Sequence, residues 1–155
     1  MMRAAIFAID TGAYKAKAES AAATALKRLL EQAGFEVKAA GTLPQEKEVV
    51  ATVITQLSDS ESVELILTAG ATGYLEEDCA ADAVIDTSER LLPGIPEALR
   101  AYNLRYSKKA ILETMAAGIR NKTLVINLPE SAKTAKEDME YILPEVVQVV
   151  ENINL

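Results

Sequence analysis

Two aspartates and one glycine-containing loop are the groups in this sequence best placed for ligand chemistry. Asp10 follows the short apolar run 4–9, and residues 68–73 (Thr-Ala-Gly-Ala-Thr-Gly) follow the apolar run 63–67. Glycine lets the backbone turn sharply and approach a ligand, and the free N–H groups of a following helix can bind an anion. The sequence therefore predicts a ligand-facing loop at residues 68–73, although a simple tight turn would have the same composition.

Asp78 lies just beyond that loop, next to Glu76 and Glu77. A carboxylate in this position could hold magnesium or polarise a ligand hydroxyl, and Asp10 occupies the equivalent position after the first strand. Acids at a helix start also act as caps or dipole partners. Ser131 has the same two interpretations, since a serine before a helix either caps it or donates to a phosphate.

The loop matches neither a GxGxxG fingerprint nor a P-loop, because no lysine follows its second glycine. The sequence has no histidine, which excludes Ser-His and Cys-His nucleophiles and the commonest zinc ligand. A metal would instead be a hard ion such as magnesium, held by carboxylates and ligand phosphates. The single cysteine, Cys79, cannot form an internal disulfide, so we expect a cytoplasmic protein.

The net charge of −7 argues against general nucleic-acid binding, which depends on neutralising phosphates. The segment 100–122 nevertheless carries +5, leaving −12 on the rest of the chain. This basic segment is either a solvated face or a positive wall beside an anionic ligand. The apolar run near the start is too short to cross a membrane, so no membrane association is expected.

Strand and helix patterns alternate along the chain. They predict strands at 4–9, 35–39, 63–67, 116–120 and 123–127, and helices at 22–33, 49–57, 79–90, 97–115 and from about 131. Residues 91–96 are expected to form a proline-bounded connection, and Pro144 to kink or divide the last helix. The pattern predicts a single domain, residues 1–155, of three-layer α/β/α class with a mostly parallel central sheet. Ligands of such sheets bind beyond the carboxyl ends of the strands, which here carry residues 10–12, 68–78 and 127–131.

The chain also resembles, nearly end to end, the molybdenum cofactor biosynthesis domain family of molybdopterin-binding proteins and molybdopterin adenylyltransferases. Residues 68–73 correspond to that family's TTGGTG, and residues 77–83 to its Arg-Asp-Val-Thr-Pro-Glu-Ala run. Residues 93–95 match a Pro-Gly pair before a helix. Residues 117–121 and 126–132 are similar to its Ala-Gly and Leu-Asn-Leu-Pro-Gly-Ser-Pro motifs.

The resemblance implies a protein that binds molybdopterin and, in adenylyltransferase members, couples it to AMP from ATP with magnesium. It also implies pterin and nucleotide ligands and a homo-oligomer, a trimer or hexamer. By this resemblance Asp78 and Asp10 are catalytic, Asp78 also binds the metal, and the ligand-binding residues are Gly70, Ala71, Thr72, Gly73, Asn127, Pro129 and Ser131.

Four positions depart from the family pattern in ways that affect the site. Gln45 replaces an acid, Ala71 and Glu130 replace glycines, and Glu77 replaces an arginine. If residue 71 needs a positive φ, its β-carbon costs about 1 kcal/mol or more; otherwise it narrows the ligand space. Two alternatives therefore remain beside the enzyme. The chain is either a catalytically inactive relative that binds another small molecule or protein, or a relative of the competence/damage-inducible domain linked to nicotinamide nucleotide metabolism.

Overall fold

A computed structural model describes residues 2–155 and has a six-stranded sheet at its centre, with the strand order β2-β1-β3-β6-β5-β4. Residue 1, which the expected domain includes, lies outside the described residues. Four strands, β1, β2, β3 and β6, run parallel, and β5 is antiparallel to both of its neighbours. The strands are β1 Met2–Ile9, β2 Phe35–Leu43, β3 Leu65–Ala69, β4 Arg90–Leu91, β5 Ala117–Arg120 and β6 Thr123–Leu128. The expectation of a mostly parallel sheet is confirmed.

Helices cover both faces of the sheet. The helices are α1 Thr11–Ala16, α2 Ala21–Gln32, α3 Lys47–Asp59, α4 Ala80–Thr87, α5 Gly94–Leu104 and α6 Ala132–Ile153, with a 3₁₀ helix at Lys108–Leu112. Side chains alternate along each strand, so Ala4 and Ile6 of β1 pack under α2, α5 and α6, whereas Ala5 and Ile9 pack under α3 and α4. The three-layer α/β/α architecture follows from this two-sided burial.

The strand order brings the three expected loops to one edge of the sheet. After β1 the chain forms β2 on one side and returns to form β3 on the other, which makes β1 and β3 the switch point of the sheet. Ala8, Ala69 and Leu128 lie side by side at the ends of β1, β3 and β6. The loops that follow these strands therefore open together.

Three local predictions about the middle of the chain are wrong. The helix predicted at 97–115 ends at Leu104, and only the 3₁₀ helix Lys108–Leu112 follows within that range. The helix predicted at 79–90 ends at Thr87, and Arg90–Leu91 forms the edge strand β4 paired with β5. Gly118 of β5 makes this pairing possible, because a β-carbon there would overlap the Ser88 hydroxyl. The expected connection at 91–96 also contains the start of α5 at Gly94, directly after Pro93.

The structure also differs from the sequence-based prediction near both ends of the chain. Asp10 caps a short helix, α1, which is not among the helices predicted from the sequence. Pro144 does not divide α6, which runs unbroken through it. The carbonyl that loses its helix partner belongs to Glu140, and because this residue is exposed, water can replace the missing bond. Among residues 2–155, no helix combines the length and apolar character needed to cross a membrane.

Candidate functional site

Gly70 joins the ends of three strands at the switch point. Its φ is +100°, and a β-carbon would lie 2.8 Å from the carbonyl oxygen of Ile9. Its N–H donates to the carbonyl of Leu128 at 3.0 Å. Both the positive φ and the close backbone contact require glycine at this position. Gly70 thus sets the path of the loop, here called the glycine loop (residues 68–73).

Ala71 adopts a left-handed conformation, which the glycine expected at this position from the sequence resemblance would adopt more easily. Its φ is +56°, so the expected β-carbon cost of about 1 kcal/mol applies. The methyl group is buried in the core beneath α3 and α4 and does not enter the ligand space. The carbonyl of Ala71 accepts from the Ala80 N–H at 3.1 Å, at the start of α4. This alanine therefore costs backbone strain without narrowing the crevice.

Thr72 points away from solvent and holds an acid from another part of the chain. Its side chain is 5 % exposed, and its hydroxyl donates to Glu113 Oε2 at 2.7 Å. The backbone of Thr72 accepts from Thr114 N–H at 2.7 Å, and the Thr114 hydroxyl donates to the carbonyl of Gly73. Sequence reasoning missed Glu113 and Thr114 as site residues. The signal available was that Glu113 is the one acid in the basic segment 100–122.

Asp78 packs over the second glycine of the loop. A β-carbon on Gly73 would lie 2.5 Å from Asp78 Oδ2, and the same oxygen accepts from Leu75 N–H at 3.0 Å. Within residues 2–155 no group of three or more acids and cysteines is arranged to hold a metal ion. Any magnesium at Asp78 would therefore be held by this one carboxylate, with phosphates and water as its other ligands.

Asp10 has a structural role that the sequence offered as an alternative. Its carboxylate caps α1, accepting from Ala13 N–H at 3.0 Å. It also borders a cavity of about 220 Å³ with Glu19 and Glu130, between the first turns of α2 and α6. Glu130 therefore makes this small cavity acidic, which disfavours a phosphate there.

Gln45 connects the Asp10 loop to the Asp78 loop. Its backbone N–H donates to Thr11 Oγ1 at 2.8 Å, and its side-chain oxygen accepts from Thr11 N–H at 3.3 Å. Its side-chain nitrogen donates to the carbonyl of Glu77 at 3.4 Å. A carboxylate could make the contact to Thr11 but could not donate to Glu77. The oxygen and the nitrogen of this amide, which stands where the resemblance leads us to expect an acid, are thus both hydrogen-bonded.

The remaining expected site residues, at the end of β6, lie in different environments. Asn127 is fully buried; its Nδ2 donates to Thr68 Oγ1 at 2.8 Å and its Oδ1 accepts from Ala116 N–H at 3.0 Å. It ties three strand ends together beneath the loop. Ser131 is exposed and caps α6, accepting from Thr134 N–H at 3.4 Å.

Pro129 lines a larger pocket, of about 510 Å³, between the segment that follows α5 and the first turns of α6. This α5–α6 pocket carries three cationic side chains, Arg100, Lys109 and Lys133, together with the carboxylates of Glu113 and Glu137. Glu113 connects it directly to Thr72 of the glycine loop. The pocket and the loop therefore form one continuous surface at the edge of the sheet.

The basic segment 100–122 divides between this pocket and other surfaces. Arg100 donates to the carbonyl of Glu113 at 3.0 Å and faces the pocket with Lys109. Arg105 instead lies over the ring of Tyr102, 4.4 Å from its centroid, and Arg120 pairs with Asp59 at 3.0 Å. Only part of the segment therefore forms a positive wall.

A buried acid lies behind the pocket. Asp138 of α6 is fully buried; one oxygen accepts from Asn103 Nδ2 at 2.8 Å, and the other has no partner among the described residues. Burial raises the pKa of Asp138 to about 6, with a further increase from the charges of Glu113 and Glu137 and an opposing effect of the Asn103 hydrogen bond. Sequence reasoning gave no indication of this residue, since it reads as part of an ordinary helix face.

Comparison with known proteins points in one direction. The family described as a probable molybdopterin binding domain matches residues 5–148. A molybdopterin adenylyltransferase of Helicobacter pylori is 33% identical over 108 residues, which cover 70% of this chain and 61% of that protein. The molybdopterin adenylyltransferase of Escherichia coli K12 is 34% identical over 98 residues, 63% of this chain and 50% of that protein. The matches thus span only half to three fifths of these relatives.

A solved structure agrees over nearly the full chain. The molybdopterin biosynthesis enzyme MoaB of Thermus thermophilus superposes with a TM-score of 0.86 at 32% sequence identity. The superposition covers 97% of this chain and 98% of that one. The likeness therefore extends over the whole fold.

Proposed function

The chain belongs to the family of molybdopterin-binding domains involved in molybdenum cofactor biosynthesis, and on that premise we propose that it binds molybdopterin and adenylylates it with ATP and magnesium. One observation carries the proposal. The glycine loop lies at the switch point of the sheet, with Asp78 packed over Gly73 on one side and the cation-lined α5–α6 pocket on the other. An anionic pterin and a nucleoside triphosphate need two adjoining surfaces that can each bind an anion.

The chemistry assigned to these residues is positioning and neutralisation of charge. In adenylyl transfer an oxygen of the pterin ligand attacks the α-phosphorus of ATP, the bond from that phosphorus to the bridging oxygen breaks, and pyrophosphate leaves. Lys109 and Lys133 reduce the repulsion between the two anions, and Asp78 is the residue that would hold magnesium beside the triphosphate. When bound, magnesium supplies neutralising charge to the phosphate oxygens.

Ser131 and Asp10 serve this proposal through the helices that they cap. The first turn of α6 presents free N–H groups beside Pro129 and the pocket, and the Ser131 cap sets where that turn begins. Asp10 caps α1 in the same way. Gln45 links the start of α1 to the Asp78 loop through its hydrogen bonds to Thr11 and Glu77. In the proposal Gly70 and Ala71 shape the backbone that faces the ligand, while Asn127 supports it from below.

A specific observation favours a second function, ligand binding without turnover. Glu130 joins Asp10 and Glu19 around the small cavity, so that three carboxylates face a space between two helix starts. In addition, Gln45 presents an amide where the family has an acid. A relative with this arrangement would keep the fold and the pterin site but lose the approach of a second polyanion.

Adenylyl transfer can be measured directly. Protein is incubated with molybdopterin, ATP and magnesium, and adenylylated pterin and pyrophosphate are quantified. The proposal predicts product with the native chain, a loss of at least about 100-fold with Asp78→Asn, and little change with Glu76→Gln, an exposed acid of the same loop. Saturable pterin binding with no product would support the second function, and no binding of either ligand would overturn both.

We also propose that the chain assembles as a homotrimer or homohexamer. Leu104, Tyr106, Ile111 and Leu112 are all more than 40 % exposed and lie close together in the sequence around the 3₁₀ helix. Exposed apolar side chains that cluster in this way are typical of subunit contacts. Light scattering should give three or six times the chain mass of 16.7 kDa, and a monomer at all concentrations would contradict the proposal.

A further inference from the structure

Charges of both signs line the α5–α6 pocket, which distinguishes it from a simple phosphate site. Its volume of about 510 Å³ lies within the range of pockets that enclose small-molecule ligands. Arg100, Lys109 and Lys133 bring positive charge, but Glu113 and Glu137 face the same space. A ligand that fills this pocket must therefore offer hydrogen-bond donors as well as an anionic group.

Glu113 is held in a fixed position inside the pocket. Its Oε2 accepts from the hydroxyl of buried Thr72 at 2.7 Å, and its own carbonyl accepts from Arg100 Nε at 3.0 Å. Within residues 2–155, no lysine or arginine nitrogen lies within ion-pair distance of this carboxylate. Each carboxylate oxygen can accept more than one hydrogen bond, so Glu113 keeps acceptor capacity for a ligand.

We propose that Glu113 recognises the N–H edge of a 2-amino-4-oxopyrimidine ring, while Lys109 and Lys133 bind the anionic group of the same ligand. That ring offers two parallel donors, the ring N–H and the exocyclic amine, and these match the two oxygens of a carboxylate. Pterins and guanine share it. For the pterin ligand, this inference rests on the proposed function and assigns its specificity to a named residue.

The same geometry rejects adenine. The corresponding edge of adenine offers one amine donor beside a ring nitrogen that accepts, and this nitrogen would face a carboxylate oxygen. A site that pairs two donors discriminates against a ring that lacks one of them, because a carboxylate oxygen then faces another acceptor instead of a donor. Glu113 would therefore keep the adenine of ATP out of the pterin pocket and so separate the two substrates.

Titration calorimetry of the full chain tests the proposal with four probes: pterin-6-carboxylate, GMP, AMP and inorganic phosphate. We expect pterin-6-carboxylate to bind at least 10-fold more tightly than AMP or phosphate. Glu113→Gln should weaken pterin binding at least 10-fold without weakening phosphate binding, since the glutamine oxygen can still accept from Thr72 but its amine opposes a ligand donor, and the loss of a negative charge does not disfavour an anion. Lys133→Gln should weaken every anionic probe. Glu140→Gln, an exposed acid of α6 outside the pocket, is the matched control and should change nothing.

The outcomes separate this inference from the proposed function. Equal affinity for AMP and pterin-6-carboxylate, or unchanged pterin affinity in Glu113→Gln with native thermal unfolding, would overturn the inference even if adenylyl transfer is observed. Pterin binding that depends on Glu113, with no adenylyl transfer, would support the inference and contradict only the proposed activity. Binding of GMP in preference to pterin-6-carboxylate, again dependent on Glu113, would support ring recognition and overturn the assignment to pterin.

Discussion

The carboxylate of Asp78 lies directly against Gly73, where Oδ2 occupies the place that a β-carbon would need, 2.5 Å away. The contact explains why this loop position has no side chain although its φ lies outside the left-handed region. Glycine at this position leaves room for the carboxylate of an acid five residues later. The relationship joins the backbone of the loop to the proposed magnesium ligand.

Replacing Gly73 with alanine should move Asp78 while leaving the fold intact. The new methyl group displaces a flexible side chain and breaks its bond to Leu75 N–H, so we expect a loss of about 1 kcal/mol in the free energy of unfolding. Magnesium-dependent ATP binding, measured by calorimetry, should weaken at least 10-fold. Gly12→Ala is the control, because its β-carbon would meet Asp10 Oδ1 at an ordinary 3.4 Å. Unaltered magnesium dependence in Gly73→Ala would show that the Asp78 carboxylate is not a ligand.

Exchange of glycine and alanine should destabilise the protein at position 70 but have little net effect at position 71. Gly70→Ala combines a φ of +100° with a backbone clash against Ile9, and we expect it to lower the free energy of unfolding by about 2 kcal/mol or more. Ala71→Gly relieves about 1 kcal/mol of left-handed strain but removes a buried methyl group of about the same value. Its stability, measured by urea unfolding, should therefore stay within about 1 kcal/mol of the native value. A large loss in Ala71→Gly would mean that core packing outweighs backbone strain at this position.

The Gln45 amide should hold the Asp10 and Asp78 loops together through its hydrogen bonds to Thr11 and Glu77. Gln45→Glu keeps an acceptor for Thr11 but loses the donor to Glu77 and adds a negative charge beside other acids. We expect faster amide exchange in residues 74–79 with less than about 1 kcal/mol of global destabilisation, because the contact is only partly buried. Glu48→Gln, on the exposed side of α3, provides a control. If Gln45→Glu instead increases adenylyl transfer, a carboxylate at position 45 matters more for activity than the hydrogen bond to Glu77.

Asp138 should make stability fall as pH rises. Its pKa in the folded protein, about 6, lies above the ordinary value of 3.8, so the folded state binds the proton more tightly than the unfolded chain does. Below about pH 4 the carboxyl is protonated in both states and does not lower the free energy of unfolding. As the pH rises from about 4 through about 6 the buried group ionises, and the free energy of unfolding falls by at most about 3 kcal/mol. The groups that face it are Asn103 on α5, Glu113 after the 3₁₀ helix and Glu137 on α6.

The variant Asp138→Asn should remove this part of the pH dependence. The amide oxygen can still accept from Asn103, and no charge is buried above pH 6. We expect the free energy of unfolding to increase by about 1 kcal/mol at pH 8 and not to increase at pH 4. The increase is small because the amide nitrogen would take the place of the carboxylate oxygen that has no hydrogen-bond partner. Thermal unfolding between pH 4 and pH 8 measures both values. Parallel pH profiles for the variant and the native chain would mean that Asp138 is already neutral or finds a partner in solution.

Much of the fold could be predicted from local pattern alone. The alternation of short apolar runs with 3.6-residue periodicity predicted β1, β2, β3, β5 and β6 and the helices between them, because strand and helix burial imprint different repeats on the sequence. The brief edge strand β4 was missed, since two residues are too few to show a period. The helix α1 was missed because it buries no side chain and so carries no apolar stripe.

The sequence by itself determined the class of the sheet, the loops at its carboxyl edge and the family, because these depend on chain order and on short motifs. Tertiary structure alone decided what each loop residue does. Thr72 reaches an acid 41 residues away, and Asn127 ties to a threonine 59 residues away. Such contacts depend on strand order and packing, which bring distant residues within hydrogen-bond distance and leave no local repeat. For this reason Asn127, expected at the ligand, lies in the core, whereas Glu113, which sequence reasoning passed over, faces the pocket.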